Sequence, residues 1–319
     1  MNRQPRELRI GTRGSLLAVA QAERVAGELR RRYPELAPVL VKIKTSGDTF
    51  AQIPLSHVGG KGLFIKEIEE ALLDGQVDVA VHSMKDVPTE IAPGLSIAAI
   101  LEREDASDVL ISRRGEKLDA LPSGARIGTS SLRRHAQLLH FRPDLTVVPL
   151  RGNLDTRLRK LDTEGLDAIV VAAAGVHRLG RQQEVTEVLP PEISLPAVGQ
   201  GALGLEIRAH DQRIRDLVEP MTHGPSALTI AAERAFLKRL GGGCQVPIAA
   251  YGRLDGPELH LMALVINPNG TGVVRGERKG PSALAEEIGL AIAEELLRRG
   301  ADRIIRELSG TTLEPPAAP

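Results

Sequence analysis

Apolar and polar positions along the chain follow two alternating rhythms, and the rhythms come in pairs. Leu8 to Thr12 reads as a short strand, Gly11 to Gly14 as a turn, and Ser15 as the cap of an amphipathic helix through "LLAVAQAERVAGELRRR". The succession returns at Arg126, where "RIGT" recurs 117 positions after Arg9, again between a strand and a helix, with Ser130 or Ser131 as cap. A second pair strengthens the first. "GQVDVAVHSMKDVP" and "EGLDAIVVAAAGVHRLG" each leave a helical pattern and enter a nearly continuous apolar run, as expected of strands buried on both faces of a parallel sheet. "PVLVKIK" and "LTVVPLR" fall between these segments in corresponding places. The echoes predict two related α/β lobes. The first carries an extra polar, glycine-containing insertion, "TSGDTFAQIPLSHVGGKG", large enough for a lid.

The first lobe is expected over residues 1–101 and again over 201–219, because the apolar strand Ala202 to Ile207 returns to it. The second lobe is expected over 102–200. From residue 220 the pattern changes. A helix from Ser226 to Leu240 precedes "PIAAYGRL", "ELHLMALVIN" and "GTGVVRGERK", which predict an antiparallel three-stranded meander with turns at "DGP" and "NPNG". With a last helix from about Ser282 and a frayed tail, 220–319 reads as a small α+β domain.

Composition narrows the function classes. At 42% hydrophobic and 26% charged residues, the chain has a globular make-up. Its 41 basic and 41 acidic residues exert no overall pull toward nucleic acid or membrane, so any anion site must be a local cluster. With 2% aromatics and no Trp, the base-stacking platforms of single-strand binders are missing. The opening "MNRQPRELRIGT" has no apolar signal core and no segment reaches the length of a membrane span, so a cytoplasmic protein is expected.

In open α/β sheets ligands bind beyond the carboxyl ends of the strands. The residues there are rich in arginine: Arg13 with Ser15; Thr45 to Asp48; His82, Ser83, Lys85 and Asp86; Ser130, Ser131, Arg133 and Arg134; Arg151 to Asn153; His177 and Arg178. Arg133 and Arg134 occupy the first turn of their helix, where the macrodipole disfavours a cation by about 0.3–1 kcal/mol. They are either solvated surface arginines or, with Arg13, Arg151, Arg157 and Arg178, a site for planar anions such as carboxylates. Asp86, a lone carboxylate among them, is a salt-bridge partner, a general acid/base or a counter-charge for a cation formed in a reaction. Phosphate-loop, dinucleotide and nucleophile-elbow motifs are all missing, and His135 and His140 are spaced too far for a shared helical face.

Cys244 is the only cysteine, and it follows three glycines in "LKRLGGGCQVPIAAYG". It can be a small buried hydrophobe. The glycine run, which costs backbone entropy and packs nothing, suggests instead a thiol presented on a loop. A single thiol excludes an internal disulfide and a multi-cysteine metal site, leaving a nucleophile, a redox sensor or an attachment point.

Six blocks, "HSMKDVPT", "IGTSSLRR", "LRGNLDTRL", "AAAGVHRLG", "AVGQGALGLEIR" and "GGCQVPIAAY", together resemble the porphobilinogen deaminase (hydroxymethylbilane synthase) family, in order along the chain from Arg9 to Tyr251. The resemblance implies two lobes like those of periplasmic binding proteins around a cleft, plus the small C-terminal domain. It implies a transferase of tetrapyrrole biosynthesis that adds four porphobilinogen units stepwise, with loss of ammonia, and releases hydroxymethylbilane by hydrolysis. The implied cofactor is a dipyrromethane joined to Cys244 by a thioether, and Asp86 is the implied catalytic carboxylate. Lys85, Asp86, Ser131, Arg133, Arg134 and Gly152 would bind the cofactor. Arg13, Ser15, Arg151, Arg157, Arg178 and Gln200 would bind substrate, and Lys61 and Phe64 would belong to the lid. No metal, nucleic acid or membrane partner is implied, and a monomer is expected. Two rivals remain: a two-lobed receptor that binds an anion without transforming it, for which a tethering thiol has no use, and a nucleic-acid binder, which the balanced charge opposes.

Overall fold

In the computed structural model, which describes residues 6–46, 65–241 and 246–309, the chain forms two compact units. The first comprises residues up to Arg103 together with Ala202–Ala227; the second comprises Glu104–Gly201 and the chain from Leu228 onward. Each is built around its own buried apolar clusters.

The first unit is a five-stranded sheet ordered β2-β1-β3-β10-β4. Its strands are β1 (Arg6–Arg13), β2 (Leu36–Ile43), β3 (Val79–Ser83), β4 (Leu95–Ile100) and β10 (Leu203–Arg208). β1 pairs in parallel with both β2 and β3, while β10 lies antiparallel between β3 and β4. Helix α1 (Leu16–Arg32) starts where Ser15 Oγ accepts from the Ala18 N–H at 3.2 Å. It buries Gln21, Ala22, Val25, Ala26 and Leu29, a helical spacing of three and four, and ends in Arg30, Arg31 and Arg32, whose charges suit the helix C-terminus. Helices α2 (Lys66–Leu73) and α6 (Gln212–Val218) complete the unit's covering.

The second unit repeats this plan. Its sheet is ordered β7-β6-β8-β5-β9, from β5 (Asp108–Ser112), β6 (Arg126–Gly128), β7 (Thr146–Val148), β8 (Ala168–Ala172) and β9 (Glu187–Leu189). Slot for slot the two orders agree: three parallel strands, then one antiparallel strand, then an edge strand antiparallel to that one. The repetition expected from the paired "RIGT" segments is therefore real. The apolar strands β3 and β8 pair in parallel with β1 and β6, as expected, while β10 and β5 each run against their neighbours. Helices α3 (Leu132–Phe141), α4 (Leu154–Thr163) and α5 (Ala173–Arg178) follow β6, β7 and β8.

Helix α7 (Gly224–Arg239) leads into the C-terminal meander, β11 (Ile248–Asp255), β12 (Glu258–Ile266) and β13 (Val273–Pro281), paired antiparallel as predicted. Asp255 faces Glu258 across a two-residue turn whose Gly256 has φ +57°, a value that L-residues with side chains rarely adopt. Helices α8 (Ala285–Leu296) and α9 (Asp302–Ser309) cover the meander. Phe236, Leu240, Val246, Ile248, Ile292 and Leu296 share one core. Leu240 and Val246 bracket the segment holding Cys244, so both of its flanks are anchored in that core.

Buried Glu233 on α7 accepts from the backbone N–H groups of Gly199, at 2.7 Å, and Gly252, at 2.8 Å. It thereby ties the meander to the segment preceding β10. The packing of α8 on α7 is equally close. A Cβ on Gly289 would lie 2.2 Å from the Ala232 carbonyl oxygen, a backbone atom that cannot swing aside. Gly289→Ala should therefore destabilise the protein by about 1–3 kcal/mol, overpacking outweighing the ~1 kcal/mol that alanine gains in helix propensity. A urea midpoint that stayed level or rose would show that the helices can separate without cost.

Candidate functional site

In the first unit, the carboxyl ends of β1 and β3 gather the expected residues. Arg13 is the last residue of β1, and Ser15 caps the following helix. β3 runs into a single 3-10 turn, Met84–Asp86, which leaves Lys85 and Asp86 exposed and Met84 buried. Two features hold the turn in place. The Met84 N–H donates to the Ala202 carbonyl at 3.0 Å, and the Met84 side chain fills space that Gly204 leaves open. A Cβ on Gly204 would come within 2.3 Å of Met84 Sδ. Asp86 is thus exposed on a turn whose middle is clamped to β10.

Arg13 and Asp86 line one pocket together with Gln21, His82 and Ser83. Gln21 is almost fully buried on the core face of α1, and its Nε2 donates to Ser83 Oγ at 3.3 Å. Below it, His82 Nε2 meets Glu206 Oε2 at 2.9 Å with both side chains nearly excluded from solvent. Glu69 on α2 stands close enough to feel this pair: burial, and then repulsion by Glu206, push its carboxyl above the usual range. The sequence reading placed His82 among the strand-end residues but missed Gln21 and Glu206. The signal was available: Glu206 is a charged residue within an otherwise apolar buried strand, and Gln21 is the one polar residue on the buried face of α1.

In the second unit the expected residues also stand at carboxyl strand ends. Ser131 caps α3, its Oγ accepting from the Arg134 N–H at 3.4 Å. Asn153 caps α4 by accepting from the Thr156 N–H at 2.9 Å. Gly152 has φ +111°, and a Cβ there would strike Thr156 Cγ2 at 2.6 Å, so only glycine fits the cradle between Arg151 and α4. Arg157 Nε donates to the Gly152 carbonyl at 2.8 Å, and Arg178 at the end of α5 donates to the Gly201 carbonyl at 2.5 Å. Beside Arg178, His177 Nδ1 lies 3.2 Å from Glu104 Oε1.

Arg133 and Arg134 differ from expectation. They are not solvated on the helix surface but buried around Asp108, the first residue of β5. Arg133 donates through both terminal nitrogens to Asp108, at 2.7 and 3.2 Å, and to the Leu195 carbonyl at 2.6 Å. Arg134 donates through Nε to Asp108 at 2.9 Å and through Nη1 to the Val170 carbonyl at 3.2 Å. Ser194 Oγ adds a further bond to Asp108 at 2.7 Å. Burial opposes the charge on Asp108, but Arg133 and Arg134 outweigh it and hold the carboxyl far below the usual range. Burial is also the main influence lowering the Arg133 pKa.

Gln200, expected to bind substrate, has a fully buried amide. Its Nε2 donates to Asp108 at 2.9 Å and to the Ala106 carbonyl at 2.7 Å, and its Oε1 accepts from Arg134 at 3.3 Å. Asp108 itself was missed by the sequence reading, because "DASDVLIS" carries no periodic signal before the strand begins. Cys244, Lys61 and Phe64 lie outside the described residues.

The second unit's donors suit a group with acidic side chains such as a dipyrromethane: arginine and serine donors follow its strands, and its glycine cradle has no room for a Cβ. Among the described residues no cluster of potential metal ligands occurs, and no helix is long and apolar enough to cross a membrane.

Comparisons with known proteins agree with this donor set. Residues 8–216 match the family model "Porphobilinogen deaminase, dipyromethane cofactor binding domain", and residues 227–298 match "Porphobilinogen deaminase, C-terminal domain". A porphobilinogen deaminase of Geobacter metallireducens is 55% identical, covering 95% of each chain. One of Pelobacter propionicus is 53% identical, covering 95% of this chain and 98% of its own. Among solved structures, the Bordetella pertussis BvgS VFT2 domain matches at 12% identity and a TM-score of 0.42, covering 72% of this chain and 92% of its own. On the two family models and the near full-length relatives, the chain belongs to the porphobilinogen deaminase family.

Proposed function

We propose that the chain condenses four porphobilinogen molecules one at a time, with loss of ammonia, onto a dipyrromethane held by Cys244, and then releases hydroxymethylbilane by hydrolysis. The observation that carries this reading is the division of labour at the strand ends. One exposed carboxylate, Asp86, shares a pocket with Arg13, and a separate set of guanidinium and hydroxyl donors follows β6, β7 and β8. Membership of the family supplies the reaction class.

When bound, the dipyrromethane supplies the carbon to which the first substrate joins and the anchor for the growing chain. The chain's own residues do the rest. Each pyrrole carries an acetate and a propionate, so six rings bring roughly twelve carboxylates, a load suited to charge-assisted arginine contacts. Arg13, Ser15, Arg151, Arg157 and Arg178 are assigned to substrate carboxylates. Lys85, Ser131, Arg133, Arg134 and the backbone at Gly152 are assigned to the cofactor. Gln200, whose amide also bonds Asp108 and Arg134, is assigned to substrate.

Asp86 accepts hydrogen bonds from pyrrole N–H groups and stabilises the cation left when substrate loses ammonia. It then holds the proton released as the new carbon–carbon bond forms. Its exposed seat on a clamped turn lets it reach a ligand without moving the β3 backbone. Lys61 and Phe64 are assigned to a lid. The enzyme is read as a cytoplasmic monomer of three domains, 1–101 with 201–219, 102–200 and 220–319.

Two experiments test the reading. Intact-mass measurement on protein from cells with normal tetrapyrrole synthesis should show a dipyrromethane adduct that Cys244→Ser removes. A bare polypeptide mass for the unaltered protein would return the chain to the receptor reading. Asp86→Ala should leave the thermal midpoint within about a degree, because the side chain is exposed, and collapse kcat. A fall in kcat of less than tenfold, about 1.4 kcal/mol, would remove Asp86 from the chemistry.

A further inference from the structure

We infer that the small cavity beside Asp86 is the leaving-group site of the reaction: it takes the aminomethyl nitrogen of porphobilinogen on His82, with Glu206 behind it as a positioning residue. The inference rests on the function proposed above and adds to it a place for the nitrogen that is lost.

Size is the first argument. The cavity measures about 30 Å³ and lies between exposed Asp86 and buried His82, with Ile65, Ile68 and Val81 forming an apolar wall. Such a space holds roughly one or two water-sized groups and excludes a pyrrole ring. An amino group is of that size, whereas the acetate and propionate arms are larger.

Hydrogen-bond chemistry points the same way. His82 Nε2 lies 2.9 Å from Glu206 Oε2, and both side chains are nearly excluded from solvent. An ionised carboxylate only accepts, so Nε2 carries the proton and the neutral ring is left with Nδ1 as an acceptor. An aminomethyl group, like the end of a lysine side chain, is an ammonium at neutral pH and carries donors alone. A substrate carboxylate needs donors and gains nothing from such a nitrogen.

The surrounding charge favours a cation too. Glu69 on α2 is pushed above the usual carboxylate range by burial and then by repulsion from Glu206, so acidic groups already crowd this end of the sheet. A positive group entering between them and Asp86 relieves that repulsion. When the carbon–nitrogen bond breaks, its electron pair stays on nitrogen. Neutral ammonia is then left at His82, and the positive charge passes to the pyrrole beside Asp86.

The test uses loaded protein and two ligands: porphobilinogen, and the same pyrrole diacid with methyl in place of aminomethyl, which has no ammonia to lose. His82→Gln keeps a donor for Glu206 but removes the ring acceptor. It should raise KM for porphobilinogen about tenfold, as loss of a hydrogen bond to a charged group does. The Kd of the methyl compound, measured by titration calorimetry, should stay level. Equal weakening of both ligands, as expected of a purely structural pair, overturns the inference, and so does weakening of neither.

Spectra of ¹⁵N-histidine-labelled loaded protein give a readout free of turnover. His82 should show the Nε2-protonated tautomer, and its Nδ1 signal should move on addition of ammonium chloride but not of tetramethylammonium chloride, whose cation is too large for the cavity. A ring protonated on Nδ1 alone, or one that treats both salts alike, overturns the inference. Glu206→Gln should weaken the tautomer preference and reproduce part of the selectivity loss. Should either variant fail to fold, the salt titration of the unaltered protein decides. A protein that consumes no porphobilinogen overturns the functional reading, and this inference with it.

Discussion

The interaction on which the second unit depends is the meeting of Asp108 with two guanidinium groups in a space closed to solvent. Removing water from these charges is expensive, and the cost is offset only when geometry and additional hydrogen bonds are nearly complete. Here Ser194 and Gln200 supply the additional donors to Asp108, and main-chain carbonyls take up donors of the arginines. The network therefore fixes more than two side chains. It joins the start of β5, the first turn of α3 and the segment from Ser194 to Gln200, three stretches far apart in sequence. Any anion recognised by α3 is recognised by a surface whose shape this cluster has already set.

Much of the fold was legible in the sequence because it is periodic and repeated. The "RIGT" echo, the apolar runs into His82 and Gly175 and the three-stranded meander all rest on local patterns, and each recurs in the structure. The return of Ala202 to Ile207 to the first sheet was also readable, since a strand apolar at all but Glu206 needs cover on both faces. β4, β5 and β9 were not singled out. They are short, and what makes them strands is the neighbour they pair with, which no local window contains.

The site divides along the same line. Strand-end residues such as Arg13, Ser15, Asp86 and Ser131 could be named from order along the chain, because the topology delivers them to one end of each sheet. Whether an arginine there faces solvent or a buried acid depends on long-range partners. Arg133 and Asp108 are 25 residues apart and Gln200 and Asp108 are 92 apart, and nothing in the local spacing announces either contact. Of the two alternatives the sequence left for Arg133 and Arg134, solvation on the helix surface is the one their burial against Asp108 removes.

The repeated plan also explains how related lobes come to do different work. In each sheet the single antiparallel strand brings in a buried acid, Glu206 on β10 and Asp108 on β5. The slot is shared and the partner is not. Glu206 meets an imidazole, His82, on the adjacent strand that ends in the Asp86 turn, so a buried polar pair lies on the strand that carries the exposed carboxylate. Asp108 meets two guanidinium groups, which do not titrate near neutral pH, so its unit carries fixed positive charge. The retained strand order thus puts a buried acid on the one antiparallel strand of each sheet, paired with an imidazole on the adjacent strand in one unit and with two guanidinium groups on a helix in the other.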